Sequence, residues 1–367
     1  MRIAVYNVEN LFSRPKIMNL DSWSDGKEIL EDYKRLCNLI AATIYTPQIK
    51  KNILALLDRN GLLAAGNGPF MRLVETRKKL VTRPRNAPAY IKVEGRDDWV
   101  GWIELKTEAV NATATANTGR LIGLIDADIL GVVEAENRVT LERFNRLLLP
   151  YVGVQPYPKT MVIDGNDERG IDVGIMLRDG FSIVDIRTHI FDKDDTGEIF
   201  SRDCPEYTIS TPEGNLVLVL VNHFKSKGYG AQGSSDAKRL RQAKRVSEIY
   251  EERLNEYDYI VVMGDLNDTP DSEPLAPLMN TSLKDITTHP TFQSDNRPGT
   301  YANGTASNKI DYLMLSPALY ERVNFGAIER RGVWCGKNGT LFPHIPEITR
   351  LQEAASDHAA LIADIDI

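Results

Sequence analysis

The chain has 367 residues, 42% of them hydrophobic and 26% charged, and carries a net charge of −7. This is the profile of an ordinary soluble globular protein, and no apolar run approaches the roughly 20 residues of a membrane span. The acidic balance excludes a protein that coats nucleic acid by bulk charge, but not an enzyme whose metal site needs carboxylates of its own.

The N-terminus opens directly on the strand-like Arg2-Ile3-Ala4-Val5-Tyr6 with no basic leader before an apolar stretch, which places the expectation in the cytoplasm. Residues 13–117 read as an insertion. Lys27–Leu57 carries Leu30, Tyr33, Leu36, Leu39 and Ile40 at helical spacing. The basic run Arg72–Arg85 reads as a solvated helix face, with a grip on a nucleic-acid backbone as the sharper alternative. Tyr90–Glu94 and Trp99–Leu105 alternate like a hairpin around residues 95–98.

After the insertion the rhythm is regular. Thr118–Ile125 and Thr140–Leu149 read as helices, Asp236–Leu254 as a long outer helix, and residues 151–157, 170–178 and 181–188 as strands. Ile3–Val5, Ile129–Val133, Leu216–Val221, Tyr259–Met263, Lys309–Leu315 and Ala359–Ile365 are short and mostly rich in β-branched residues, as buried strands are. Several strands follow one another without a helix, so the expected fold is α/β with two mixed sheets packed face to face and helices outside. The whole of 1–367 reads as one catalytic domain interrupted at 13–117. Cys37, Cys204 and Cys335 are odd in number and far apart, so neither a zinc cluster nor a disulfide framework is indicated.

The chemistry lies at the strand ends. Asn7 and Glu9, Glu134, Asn222 and His223, Asp265 and Asn267, and Asp357 and His358 all follow apolar runs. A charge at the mouth of a buried strand costs free energy unless something pairs it. Five acids, Glu9, Glu134, Asp265, Asp311 and Asp357, cannot share a pocket uncompensated. Oxygen-rich donors with two histidines and no cysteine favour Mg²⁺, with Mn²⁺ able to substitute, over zinc. His223 and His358, with Asp172 and Asp311 as the available strand-borne acids, would suit in-line attack of water on phosphorus. Taken singly, Asp265-Leu266-Asn267 reads as a turn and Ser356-Asp357-His358 as a cap; taken together they read as one site.

These residues resemble the endonuclease/exonuclease/phosphatase superfamily, the deoxyribonuclease I-like fold. The resemblance is carried by Tyr6-Asn7-Val8-Glu9-Asn10, the run Asp128–Glu134, Arg169-Gly170-Ile171-Asp172-Val173, Val221–Lys227, Gly264-Asp265-Leu266-Asn267-Asp268, Lys309-Ile310-Asp311-Tyr312 and Ser356-Asp357-His358, in the family's order. It covers residues 1–12 and 118–367 and implies a four-layer sandwich. It also implies that Glu134 is the principal metal ligand, with Asn7, Glu9 and Asp357 in or near the metal shell. Asp265 and Asn267 would orient water and phosphate, His358 held by Asp311 would contact phosphate, and His223 with Asp172 would stand near the leaving group. Asn222 and Lys225 are the expected substrate contacts. Glu9 stands where many members have Asp, Val133 where Gln is common, and Asp172 where Glu often pairs the histidine.

The expected activity is a Mg²⁺-dependent phosphodiesterase, an endo- or exonuclease acting on DNA or RNA. The alternatives are the same chemistry on a small or lipid phosphoester, and a catalytically silent member that only binds a partner. His189, His289 and His344 read as solvated loop residues, Glu136 as structural, and Asp164–Arg169 as a solvated turn.

Overall fold

The computed structural model describes residues 1–9, 11–20, 23–167, 169–227 and 232–367. The β-branched runs form strands whose alternate side chains enter two different cores, which is the period-two geometry of a pleated sheet buried on both faces. One sheet has seven strands, in the order Phe292–Gln293, Val323–Glu329, Ala360–Ile365, Arg2–Asn7, Ile129–Ala135, Asp172–Leu177, Lys159–Ile163. The other has six: Ser182–Arg187, Glu206–Ser210, Leu216–His223, Ile260–Asp265, Asp311–Leu315, Lys284–Asp285. Both are mixed. Arg2–Asn7 runs parallel to Ile129–Ala135 and antiparallel to Ala360–Ile365, while Leu216–His223 runs parallel to Ile260–Asp265.

The core between the sheets takes Ile3, Val5, Ile129, Val133, Val173 and Ile175 from one, and Val217, Val219, Val221, Val261, Met263, Leu313 and Leu315 from the other. Each such side chain contributes about 1.5–3 kcal/mol by leaving water. The outward residues of the first sheet, Ala4, Tyr6, Leu130 and Val132, pack on Leu121, Ile122 and Ile125 of helix Ala112–Ile125. Those of the second, Leu218, Leu220, Ile260 and Val262, pack on Ala243, Val246, Ile249 and Tyr250 of helix Gln232–Arg253. Helix, sheet, sheet and helix make the expected four layers.

Ser13–Ala109 forms a second compact unit with its own core. Its helices are Trp23–Ile40 and Pro47–Arg59, the latter started by Pro47 and capped by Thr46, whose side chain accepts from Ile49 N at 3.2 Å. Tyr33, Leu36, Ile53 and Leu57 from the helices bury against Met71, Leu73, Trp99 and Ile103.

Several expectations are corrected. The unit ends at Ala109 rather than 117, because the chain from Ala112 is already the helix covering the first sheet. The run 72–85 is not helical: Met71–Arg77 is a strand with Met71 and Leu73 inward and Arg72 exposed. The expected hairpin does not form. Val100–Leu105 pairs with Met71–Arg77 instead, and Tyr90–Ile91 pairs with Val81–Thr82. Alternation decides which face of a strand is buried but not which strand lies beside it. Residues 151–157 are not a strand either, since Gly153 turns at φ +78° and Pro156 has no N–H; the strand begins at Lys159. No helix among the described residues is long and apolar enough to cross a membrane, and no disulfide joins the three cysteines.

Candidate active site

Four inward-facing strand ends converge. Asn7 follows Ile3 and Val5 on the inner face, His223 follows Val219 and Val221, Asp265 follows Val261 and Met263, and Asp311 precedes Leu313. His223 and Asp265 sit opposite one another in the parallel pair, and Asp265 faces Asp311 in the antiparallel one. Asn7, His223, Asp265 and Asp311 are each no more than 3% exposed.

Glu134 reaches the same place by a backbone irregularity. Simple alternation after Leu130 and Val132 would turn it to the outer face. Instead Val173 pairs with Val133 and Asp172 with Ala135, leaving Glu134 as the extra residue of a bulge. Its φ of +69° swings the carboxylate inward. Glu9 and Asn267 are likewise left-handed, at +49° and +55°. A left-handed conformation costs a non-glycine residue about 1–2 kcal/mol, and three such residues in one cluster are the strain expected of a site built for something other than stability.

Asp265 is the hub. Its Oδ2 accepts from Asn7 Nδ2 at 3.4 Å and lies 3.8 Å from His223 Nε2 and 3.9 Å from His358 Nε2. Its Oδ1 accepts from Asn267 N at 2.8 Å. Asn7 Nδ2 also donates to Glu134 Oε1 at 3.4 Å, while its Oδ1 accepts from Glu9 N at 3.1 Å. The amide nitrogen of Asn7 therefore faces the two acids. Glu9 Oε2 accepts from Asp357 N at 3.1 Å, and Ser356 Oγ donates to Asn7 O at 2.8 Å, which ties the last motif to the first.

The electrostatics follow from burial. Desolvation, reinforced by Asp311, pushes the Asp265 carboxyl up to about 7. Desolvation also raises Glu134, against the pull of His358 and Arg202. For His358, burial works against the charged form, but Asp311, Asp357 and Asp265 outweigh it and hold the imidazole well above its ordinary value. His223 goes the other way: burial, then the charges of Arg202 and Arg169, hold it well below. The two histidines are thus opposite in character, one cationic and one neutral.

Not every expected residue joins. Asp172 does not hydrogen-bond His223. Its Oδ1 accepts from Gly165 N at 2.7 Å, and His223 Nδ1 is buried with no hydrogen-bond partner among the described residues. The bulge that admits Glu134 shifts the strand register at Asp172 and leaves it serving its own loop, where burial pushes it up to about 7. Asn222 takes the parity of Leu218 and Leu220 and points to the outer face, so the structure does not bring it to the cluster. The backbone of Lys225 is held by Gln242 and Arg239.

Arg202 is the residue the sequence did not mark. Buried at 2% exposure, it pairs with Asp167 at 2.9 Å, and its charge acts on His223, Glu134 and Asp265. Asp167 also takes Arg169, at 2.6 Å, so the loop expected to be a solvated turn is an ion-paired support beside the site. His189, expected to be solvated, lies buried between Asp192 and Glu206, at 2.9 Å from each. Thr300 and Tyr301 were also missed: Thr300 donates to Asp311, and Tyr301 packs 4.9 Å from the His358 ring.

The donor set suits a divalent cation. Side-chain ligand atoms of Asp265, Asp311 and His358 lie within 4.8 Å of one another, and Asp311 Oδ1 is buried without a hydrogen-bond partner among the described residues. Crowded, desolvated acids of this kind gain from a hard cation.

A family model described as the Endonuclease/Exonuclease/phosphatase family matches residues 112–332, more than half of the chain and beginning just past the inserted unit. No curated protein sequence matches the chain. Among solved structures, the catalytic domain of human nocturnin with a bound sulfate anion is similar at 16% identity, covering 71% of this chain and 88% of that one with a TM-score of 0.49. Truncated Caenorhabditis elegans TDP2 is similar at 17% identity, with 69% and 90% covered and a TM-score of 0.48. The mannosyl-6-phosphatase of Bacteroides thetaiotaomicron is similar at 16% identity, with 70% and 92% covered and a TM-score of 0.49.

Proposed function

The chain belongs to the Endonuclease/Exonuclease/phosphatase family, and from that premise we propose that it is a metal-dependent phosphodiesterase, a nuclease that hydrolyses DNA or RNA by in-line attack of water. The observation that carries the reading is the position of Asp265 Oδ2, within 3.4–3.9 Å of Asn7, His223 and His358 at the mouths of adjoining strands. In this reading residues 1–367 work as one catalytic domain interrupted by the inserted unit.

Glu134 and Asp265, with Asn7, Glu9 and Asp357 around them, would hold Mg²⁺, for which Mn²⁺ substitutes. The ion supplies Lewis-acid stabilisation of charge on phosphate oxygens. Asp265, steadied by the Asn267 amide, would orient the attacking water and the scissile phosphate beside the ion. The Asn267 side chain donates to Phe224 O at 3.2 Å, which holds its amide at the site's edge. His358 presents a charged Nε2–H to a phosphate oxygen, while His223, kept neutral, hydrogen-bonds on the leaving-group side. Burial, helped by the charge of Arg202, keeps His223 neutral, and Arg202 offsets the negative charge of Glu134 and Asp265. Lys225 would add a phosphate contact.

The test is a hydrolysis panel with and without Mg²⁺ or Mn²⁺. It covers single- and double-stranded DNA, RNA, bis(p-nitrophenyl) phosphate and a phosphomonoester, with His223→Ala and Asp265→Ala as controls for contamination. Metal-dependent cutting of a polynucleotide, lost in both variants with melting preserved, is the expected result. Turnover of the small esters alone would transfer the site to small or lipid phosphoesters. Turnover of nothing would make it a binding member of the family.

A further inference from the structure

The charge of this chain is divided unevenly. Residues 13–109 contain 17 Lys and Arg against 12 Asp and Glu, although the whole chain has 44 against 51. The inserted unit is therefore cationic and the remainder strongly anionic, an asymmetry that marks a contact with a polyanion.

Three cations stand in a row at the end of one strand: Arg77 closes Met71–Arg77, and Lys78 and Lys79 follow it. Met71–Arg77 pairs with Val100–Leu105, and the inward faces, Met71, Leu73 and Ile103, belong to the unit's core. On the other face Val74 lies opposite Trp102 and Arg77 opposite Val100. Trp102 is 44% exposed and Val100 41%, large apolar groups that a strand would ordinarily bury. The Trp102 indole is held in place, its Nε1 donating to Glu104 Oε2 at 2.9 Å, and Glu104 in turn pairs with Arg72. Beside this platform run Arg77, Lys78 and Lys79, all exposed. Lys78 is 3.4 Å from Asp98, but Arg77 and Lys79 make no ion pair among the described residues.

We propose that this outer face is a binding surface for single-stranded nucleic acid, with a base stacked on Trp102 between Val74 and Val100 and the backbone phosphates on Arg77 and Lys79. The inference rests on the phosphodiesterase reading and names the polymer that reading would cut. A pinned aromatic beside unpaired cations is the chemistry that holds single strands, because stacking needs an exposed base face and phosphate contacts need positive charge. A duplex hides its base faces and gains only the cations. A bilayer would need an indole free to insert, and this one is tied by its N–H to Glu104.

The experiment measures fluorescence anisotropy of labelled oligo(dT) with the full chain in EDTA, so that nothing is cut. Trp102→Ala weakens binding about tenfold and Trp102→Phe restores most of it. Arg77→Ala with Lys79→Ala flattens the dependence of log K on log salt by about 0.7 for each phosphate that is no longer neutralised. All three variants retain wild-type melting and wild-type turnover of bis(p-nitrophenyl) phosphate. Unchanged oligo(dT) affinity in both Ala variants, or vesicles of phosphatidylserine bound through Trp102 in place of oligo(dT), would overturn the surface while leaving the hydrolase reading intact. Binding abolished in the variants of a chain that hydrolyses no ester would support the surface and overturn the hydrolase reading.

Discussion

His358 Nδ1 lies 2.8 Å from Asp311 Oδ2, and Thr300 Oγ1 donates to that same oxygen at 2.6 Å. Two donors on one carboxylate oxygen fix its orientation, and the ring it holds must then present Nε2 toward Asp265. Asp311→Asn weakens that hold and removes the charge that raises His358. Its kcat is expected to fall about 10²–10³-fold, within the range for a general acid or base. Because the histidine pKa drops, the alkaline limb of the pH–rate profile moves to lower pH. A profile unmoved by the substitution would separate His358 from catalysis.

Metal-free protein should lose stability as pH rises through the weakly acidic range. Asp265 and Asp172 are both held at about 7 in the folded chain, against an ordinary value of 3.8. Between those values the folded state binds more protons than the unfolded state, so the slope is negative, on the order of 1 kcal/mol per pH unit for each group. Added Mg²⁺ should raise the melting temperature most above pH 7, where Asp265 is ionised and free to bind it. Asp265→Asn should remove both Asp265's share of the pH slope and the metal response. Melting curves in EDTA and in Mg²⁺ across pH 4–8 check this.

A second buried network ties stability to pH through two groups, and only its carboxylate runs opposite in sign to Asp265. His189 bridges Asp192 and Glu206, and Glu206 takes Arg253 at 2.6 Å. Burial disfavours the imidazolium, but Glu206 and Asp192 outweigh it and raise His189; burial likewise disfavours the Glu206 carboxylate, but His189 and Arg253 lower it to about 2. The His189 contribution is complete below about pH 6.5 and is lost as pH rises through its folded value. The Glu206 contribution is complete above about pH 4.5 and is lost as pH falls toward 2. His189→Ala leaves a buried carboxylate short of a partner and should cost about 3 kcal/mol by urea unfolding at pH 5.5. The cost should shrink at pH 8, with turnover of a small diester unaffected at either pH.

Gly264 sits at φ +141°, and a Cβ there would meet Asn222 O at 1.9 Å. The strands bearing His223 and Asp265 can lie in register only because that side chain is missing. Gly264→Ala should destabilise by at least about 3 kcal/mol and abolish activity, since the backbone itself must move. Wild-type melting in this variant would mean the two strand ends are not packed as described.

Much of the site was legible because its residues end recognisable strands. Apolar β-branched runs before Asn7, His223 and Asp265 mark buried strands, and an acid or histidine at each mouth marks an unpaired cost. Apolar runs and alternation by themselves therefore determined two mixed sheets packed face to face with helices outside, and the family resemblance added the four-layer sandwich. What they could not determine depended on neighbours distant in the chain. The bulge that turns Glu134 inward exists only against Asp172 and Val173, and the burial of Arg202 only against Asp167. The family resemblance assigns Asp172 to His223, whereas the strand register turns it to Gly165. The same holds in the inserted unit, where hydrophobic period shows which side chains face in but not that Met71–Arg77 takes Val100–Leu105 as its partner. Strand pairing, bulges and buried charge are decided by the packed whole, because each is a free-energy balance between groups that only the fold brings together.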